Sequence, residues 1–404
     1  MLVFVPCPHC LIRPTMKQQN PRYNGLYVFK PDLTELRPGD VILTRNAEAS
    51  SFKGKRTSDV IATATGGNFS HALICTALPT LIEALSGGVS NMSAQNCFVH
   101  DLNHVRVLRY PDQAIARAAA SEAFKFFGRE YSVQAALRSV LPGVPMSESG
   151  DGKTFCSALV AAVYRAAGAP EFASIHPLKT TPATLEKSGH FADVTSDVFV
   201  SILSPSNIEE MSALDGDRAI SPMAGQSKLL SSYYAKLSIP IDEFFAHYPT
   251  LTLKRPTGFF ECLPFINSAC IAANRLPDHA EANKARAQVK LIDDLAFELL
   301  SEGKWQAMMT AAQAIDDSSM QYSLEESFKA DPDVNLADTL GMIKATQDQI
   351  ASRSSILSDP VGQSRVWDEW VRMTHEAVSE LNVRLNVLNE VLERVFPSAR
   401  RGGQ

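Results

Sequence analysis

Cys156 stands where a polar stretch, Gly150-Asp151-Gly152, gives way to the alanine-rich run CSALVAAVYRAAG. A thiol reacts as the thiolate, and a sulfur in the first turn of a helix faces the positive end of the macrodipole and unpaired backbone N–H groups. Both lower its pKa. The glycines leave the backbone free to bring amide donors near the sulfur, while Leu159, Val160 and Val163 can anchor the helix in a core. Taken alone, such a cysteine reads equally as a small packed hydrophobe. A base separates the two readings, because a nucleophilic cysteine works as a thiolate–imidazolium pair whose histidine also protonates the leaving group. Among nine histidines, His71 opens an apolar strand behind Gly66, Gly67, Asn68 and Ser70. At a sheet edge it can face a helix end; otherwise it is a satisfied polar residue at a strand start.

The elements that must carry these residues are short. PGDVILTR (38–45) reads as a turn and a strand, SHALICTA (70–77) and TLIEALSG (80–87) as two strands joined at Pro79, and HVRVLRY (104–110) as a fourth. Strands this close in sequence predict an antiparallel sheet. Asp112 can cap a helix running to about Phe127, with Ile115, Ala119, Ala123 and Phe127 on one face and Gly128 as its stop. A Gly-, Ser- and Pro-rich loop over 139–153 leads to the helix 155–167, which Gly168 and Pro170 end, and DVFVSIL (197–203) can supply a closing strand. The reading is α+β: an irregular segment over 1–37, a sheet-and-helix domain over 38–204 and an α-helical domain over 205–404. In the last, segments near 283–301, 304–316 and 336–352 are helical. Ala377, Leu381, Leu385, Leu388, Leu392 and Val395 form a stripe, with Glu380, Arg384, Glu390 and Arg394 on the charged face. Such a stripe reads first as core and second as a membrane or partner surface.

"PGDVILTR", "FSHALI", "LIEALSGGV" and "FCSALVAAVYRAAG", in that order, resemble the permuted papain-like cysteine enzymes of the NlpC-like superfamily. These include the YiiX/YaeF-type proteins and, more distantly, the lecithin retinol acyltransferase group. The likeness covers about residues 38–204, and "TPATLEKSGHFADV" resembles the stretch with which such domains close. It implies Cys156 as nucleophile, His71 as base and a polar third residue that orients the imidazole. Glu83 fills that place: it lies on the strand predicted to pair with the His71 strand, and a carboxylate there holds the tautomer and favours imidazolium. The turn at Ala77–Thr80 leaves the register open by a residue. His100 and His104 therefore stand as substitutes, and Glu83 reads otherwise as a solvated strand-end charge. Asp40 matches the family's Gly-Asp pair and reads as a turn-stabilising carboxylate, and Tyr131, in "GREYS", matches a recurrent tyrosine that packs beside the cleft.

The whole chain sets outer bounds. Its 404 residues exceed one compact domain. A net charge of −6 with no basic run sets nucleic acid aside. No apolar stretch approaches a membrane span and MLVFVPCPHC lacks the form of a secretory signal, so the expected compartment is the cytoplasm, signal-independent export apart. Seven scattered cysteines speak against a disulfide framework. Cys7 and Cys10 have the spacing of half a zinc ribbon without a matching second pair, so no metal or cofactor is expected.

The functional expectation is a cysteine hydrolase with an acyl-enzyme mechanism on a peptide or lipid acyl substrate. The superfamily implies peptidase or amidase action, and the acyltransferase group implies ester cleavage in phospholipids. FFECLPF and YYAKLSIPIDEFF could line a lipid-receiving groove or belong to the helical core. Two alternatives stand beside it. One is a toxin or effector with phospholipase or acyltransferase chemistry; the other is a catalytically retired binding module whose C-terminal helices engage a protein partner.

Overall fold

The computed structural model describes residues 27–45, 67–85, 87–129, 131–132, 136, 139, 154–205, 208–216, 224–310, 332–357 and 364–397. The strands are β1 Tyr27–Pro31, β2 Val41–Thr44, β3 His71–Cys75, β4 Thr80–Leu85, β5 Gly88–Ser93, β6 Cys97–Phe98 and β7 Val105–Arg109, then β8 Ala192–Asp193, β9 Phe199–Leu203 and β10 Ser212–Ala213. The helices that matter here are α1 Gln113–Phe124, α2 Cys156–Ala166, α3 Ala224–His247, α4 Phe259–Asn274, α5 His279–Ser301, α6 Pro332–Leu357 and α7 Arg365–Val395.

Six strands form one antiparallel sheet in the order β5-β4-β3-β2-β7-β8. The four expected strands are its centre. β2 is buried at all four positions because both faces of the sheet are covered. On one face Leu43, Ala72, Ile74 and Ile82 pack on α1 and α2 through Ala119, Leu159, Val160 and Val163. On the other, Ile42, Leu73, Leu81 and Val107 meet Leu36, Val198 and Phe199. Full burial of an aliphatic side chain such as Leu159 contributes about 1.5–3 kcal/mol, so the core holds α2 against the sheet independently of any chemistry at its first residue.

Several boundaries differ from the sequence reading. The segment 1–37 is not irregular throughout: Tyr27–Pro31 is a strand, paired antiparallel with β9 in a separate ribbon. DVFVSIL therefore does supply a strand, but outside the main sheet. β5 also joins the sheet edge. α1 is capped as expected, the Asp112 carboxylate accepting from the N–H groups of Ala114 and Ile115, but it ends at Phe124. Phe127 lies past the helix and packs into the core of the helical region. That region starts later than residue 205, because β10 pairs in parallel with β6.

Beyond it, α3, α4 and α5 build a core around Tyr233, Phe244, Phe259, Leu263, Ile292 and Trp305. The YYAKLSIPIDEFF and FFECLPF segments belong to this core rather than to a groove. α6 and α7 pack along one another. Leu381 and Leu388 of the α7 stripe are buried, whereas Val395 at its end is 37% exposed. From α6, Lys344 reaches the sheet domain, its Nζ donating to the carbonyls of Leu33, Thr34 and Leu36 at 3.3, 2.7 and 3.0 Å. Among the described residues no helix is long and apolar enough to cross a membrane.

Candidate active site

α2 opens at Cys156. Phe155 precedes it in extended conformation and provides no side-chain cap, so the first N–H groups of the helix are left for another acceptor. The sulfur takes that role: it accepts from the backbone N–H of Ser157 and from that of Ala72 on β3. Cys156 itself is 5% exposed.

His71 is the first residue of β3. Its Nε2 lies 2.9 Å from Oε2 of Glu83, and the ring also hydrogen-bonds the Cys156 sulfur, which leaves Nδ1 as the nitrogen facing the thiol. The register answers the question left by the turn at 77–80. Leu73 lies directly opposite Glu83, so His71, two residues before Leu73, shares the face on which the carboxylate projects. Glu83 is 1% exposed and so is no solvated strand-end charge.

Burial alone would push the Cys156 thiol up. The hydrogen bond and charge of His71, together with the Ala72 and Ser157 N–H groups, outweigh it and hold the thiol below its ordinary value. For His71 burial works downward, and the bonds to Cys156 and Glu83 with their negative charges raise it to about 9. Each group thus favours the charged form of the other, the mutual bias that a thiolate–imidazolium pair requires.

Around this centre, Tyr131 is half-buried against the hydrophobic cores on both sides of α2 and forms a parallel bridge to Thr154. Burial, and then the Cys156 charge, raise its phenol pKa, so it stays protonated. Ser157 donates from Oγ to the Thr180 carbonyl at 2.8 Å, tying the helix start to the segment before the Thr181 capping box. Asp40 accepts from the Arg37 N–H at 2.9 Å, as a turn-stabilising carboxylate should, and also takes a two-pronged contact from Arg109 at 2.8 and 2.6 Å.

His100 and His104 do not substitute for Glu83. Their Nδ1 atoms lie 2.8 and 2.9 Å from the two oxygens of Asp215, a fully buried carboxylate that also accepts from the His100 N–H. Sequence reasoning missed Asp215, because it lies more than a hundred residues from both histidines and no local pattern marks it. Cys7 and Cys10 fall outside the described residues, among which no group of three or more His, Cys, Asp or Glu could hold a metal ion.

No protein-family model matches the chain, and comparison with curated proteins and with solved structures finds no match.

Proposed function

We propose that the protein is a cysteine hydrolase of permuted papain-like type that cleaves amide or ester acyl donors through an acyl-enzyme on Cys156. The observation that carries this reading is the continuous chain Glu83–His71–Cys156 ending on the uncapped start of α2. The sequence resemblance over residues 38–204 adds to it.

In this mechanism the Cys156 thiolate attacks the acyl carbon, and the carbonyl electron pair moves onto oxygen, where N–H groups at the start of α2 stabilise it. Collapse of the intermediate breaks the bond to the amine or alcohol, which takes its proton from His71 Nδ1. The imidazole, now neutral, draws a proton from water. The resulting hydroxide equivalent attacks the thioester, the acid departs, and the thiolate–imidazolium pair returns. Glu83 acts through His71, orienting the ring and favouring its charged form.

The test incubates wild-type protein with mixed peptide and lipid extracts and seeks an acyl adduct on Cys156 by mass spectrometry. The adduct is expected in wild type and not in His71→Ala, and its mass names the substrate class. Full turnover by Cys156→Ala, or a Cys156 thiol that titrates near the ordinary 8.5, would refute the reading and favour a retired binding module.

A further inference from the structure

The chain from Gly88 to Ser132 links the helical region to the sulfur. At Gly128 (φ 84°) it reverses so close to α3 that a Cβ there would stand 2.5 Å from that of Leu230. The Ser231 hydroxyl donates to the Gly128 carbonyl, and the Ser227 hydroxyl to that of Val89, whose N–H and carbonyl bond Arg129 and Gly128 in turn. Arg129 then reaches out of the sheet domain. Its guanidinium lies over the Phe126 ring at 3.9 Å and donates to the Thr257 hydroxyl and, at 3.4 Å, to Glu261 in the first turn of α4. Thr257 also donates to Glu261, from N at 2.6 Å and from Oγ1 at 2.7 Å.

Two residues after Arg129 stands Tyr131, bridged to Thr154, and the Ser132 N–H donates to the Thr154 carbonyl at 2.8 Å. Two residues after Thr154 stands Cys156. Two residues span at most about 7 Å of chain, so a displacement at Arg129 has little slack to absorb it before Tyr131. The groups facing the sulfur are His71 and Tyr131; those facing the guanidinium are Glu261, which also meets Lys254 at 3.7 Å, and Tyr234.

We propose that Arg129 is a positioning residue for the Cys156 centre. By clamping its loop to the start of α4 it makes the docked helical region hold Tyr131 and Thr154 in place, so that the sulfur's reactivity depends on that docking. The inference rests on the hydrolase reading and assigns the helical region a control role at the same site.

The full-length protein and its Arg129→Gln, Arg129→Lys, Glu261→Gln and Lys344→Met forms, checked for folding by circular dichroism, are labelled with iodoacetamide across pH. Labelling of Cys156 is read by peptide mass. In Arg129→Gln the midpoint is expected to rise by about one unit, so that at a fixed pH below the wild-type midpoint the rate falls about tenfold. Arg129→Lys, still able to reach Thr257 or Glu261, recovers part of the rate. Lys344→Met cuts a different contact between the same two regions and leaves the midpoint alone. If Arg129→Gln does not fold, Glu261→Gln decides, with a smaller shift in the same direction expected. An unmoved midpoint, an equal shift in Lys344→Met, or no recovery by lysine would overturn the proposal. A low wild-type midpoint with unmoved variants removes only the positioning role, whereas an ordinary wild-type midpoint removes the hydrolase reading itself.

Discussion

His71 and Glu83 sit two residues off the direct pairing of adjacent strands, Nε2 to Oε2 at 2.9 Å, because Leu73 rather than His71 faces the carboxylate across the ladder. A slip of one residue would send Glu83 to the opposite face of the sheet. The Cys156 sulfur and then the carboxylate, both bonded to the ring, let a buried imidazole carry charge.

The proposed hydrolase should show a bell-shaped pH dependence of kcat/KM. The acid limb reports ionisation of Cys156 and lies below the ordinary thiol range; the alkaline limb falls near 9, where His71 loses the proton it must give the leaving group. The sign for stability follows from the same raised value. His71 contributes fully below its ordinary 6.5, and that contribution is lost as pH rises through about 9. Urea denaturation of wild type and His71→Asn should therefore differ most below pH 6.5 and converge above 9.

Glu83→Gln keeps an acceptor for the ring N–H and removes the charge. The alkaline limb should move down from about 9 toward 6.5, each unit of movement costing about tenfold in protonated imidazole at a fixed pH above the new value. A pH–rate profile of the variant checks this, and an unmoved limb would show that Glu83 does not sustain the imidazolium.

Asp215→Ala should lower stability without touching the chemistry. Removing the shared acceptor leaves His100 and His104 without their carboxylate, a loss of about 1–3 kcal/mol in chemical denaturation. The iodoacetamide midpoint of Cys156 should stay at the wild-type value. A shift would place the two histidines in the reaction after all.

Leu159→Ala removes a fully buried anchor of α2 and should cost about 2–5 kcal/mol, read as a lower urea midpoint with an unchanged slope.

What the sequence made legible was local. The Asp112 cap, the apolar strings of β2, β3, β4 and β7, and the start of α2 at Cys156 each carry their signal within a few residues, and the structure places them within a residue or three of expectation. β1 escaped because YVFKP gains its strand partner 170 or so residues later, at Phe199–Leu203. β5 escaped because GVSNMS is half polar and sits at a sheet edge. The same distance in sequence hid Asp215 from its histidines and Glu261 from Arg129. Helical periodicity marked the aromatic segments of α3 and α4 as apolar without saying whether they lined a groove or filled a core. Mutual packing of Phe244, Phe259 and Leu263 decides for the core.

The cradle of carbonyls around Lys344 has a consequence for vectorial synthesis. Leu33 leaves the ribosome 311 residues ahead of its ammonium partner, an interval of about 15–60 s at ordinary elongation rates. Through that interval water must solvate the turn. Docking of α6 is accordingly a late, post-emergence event, and a nascent chain arrested short of residue 344 carries that corner of the sheet domain unlatched.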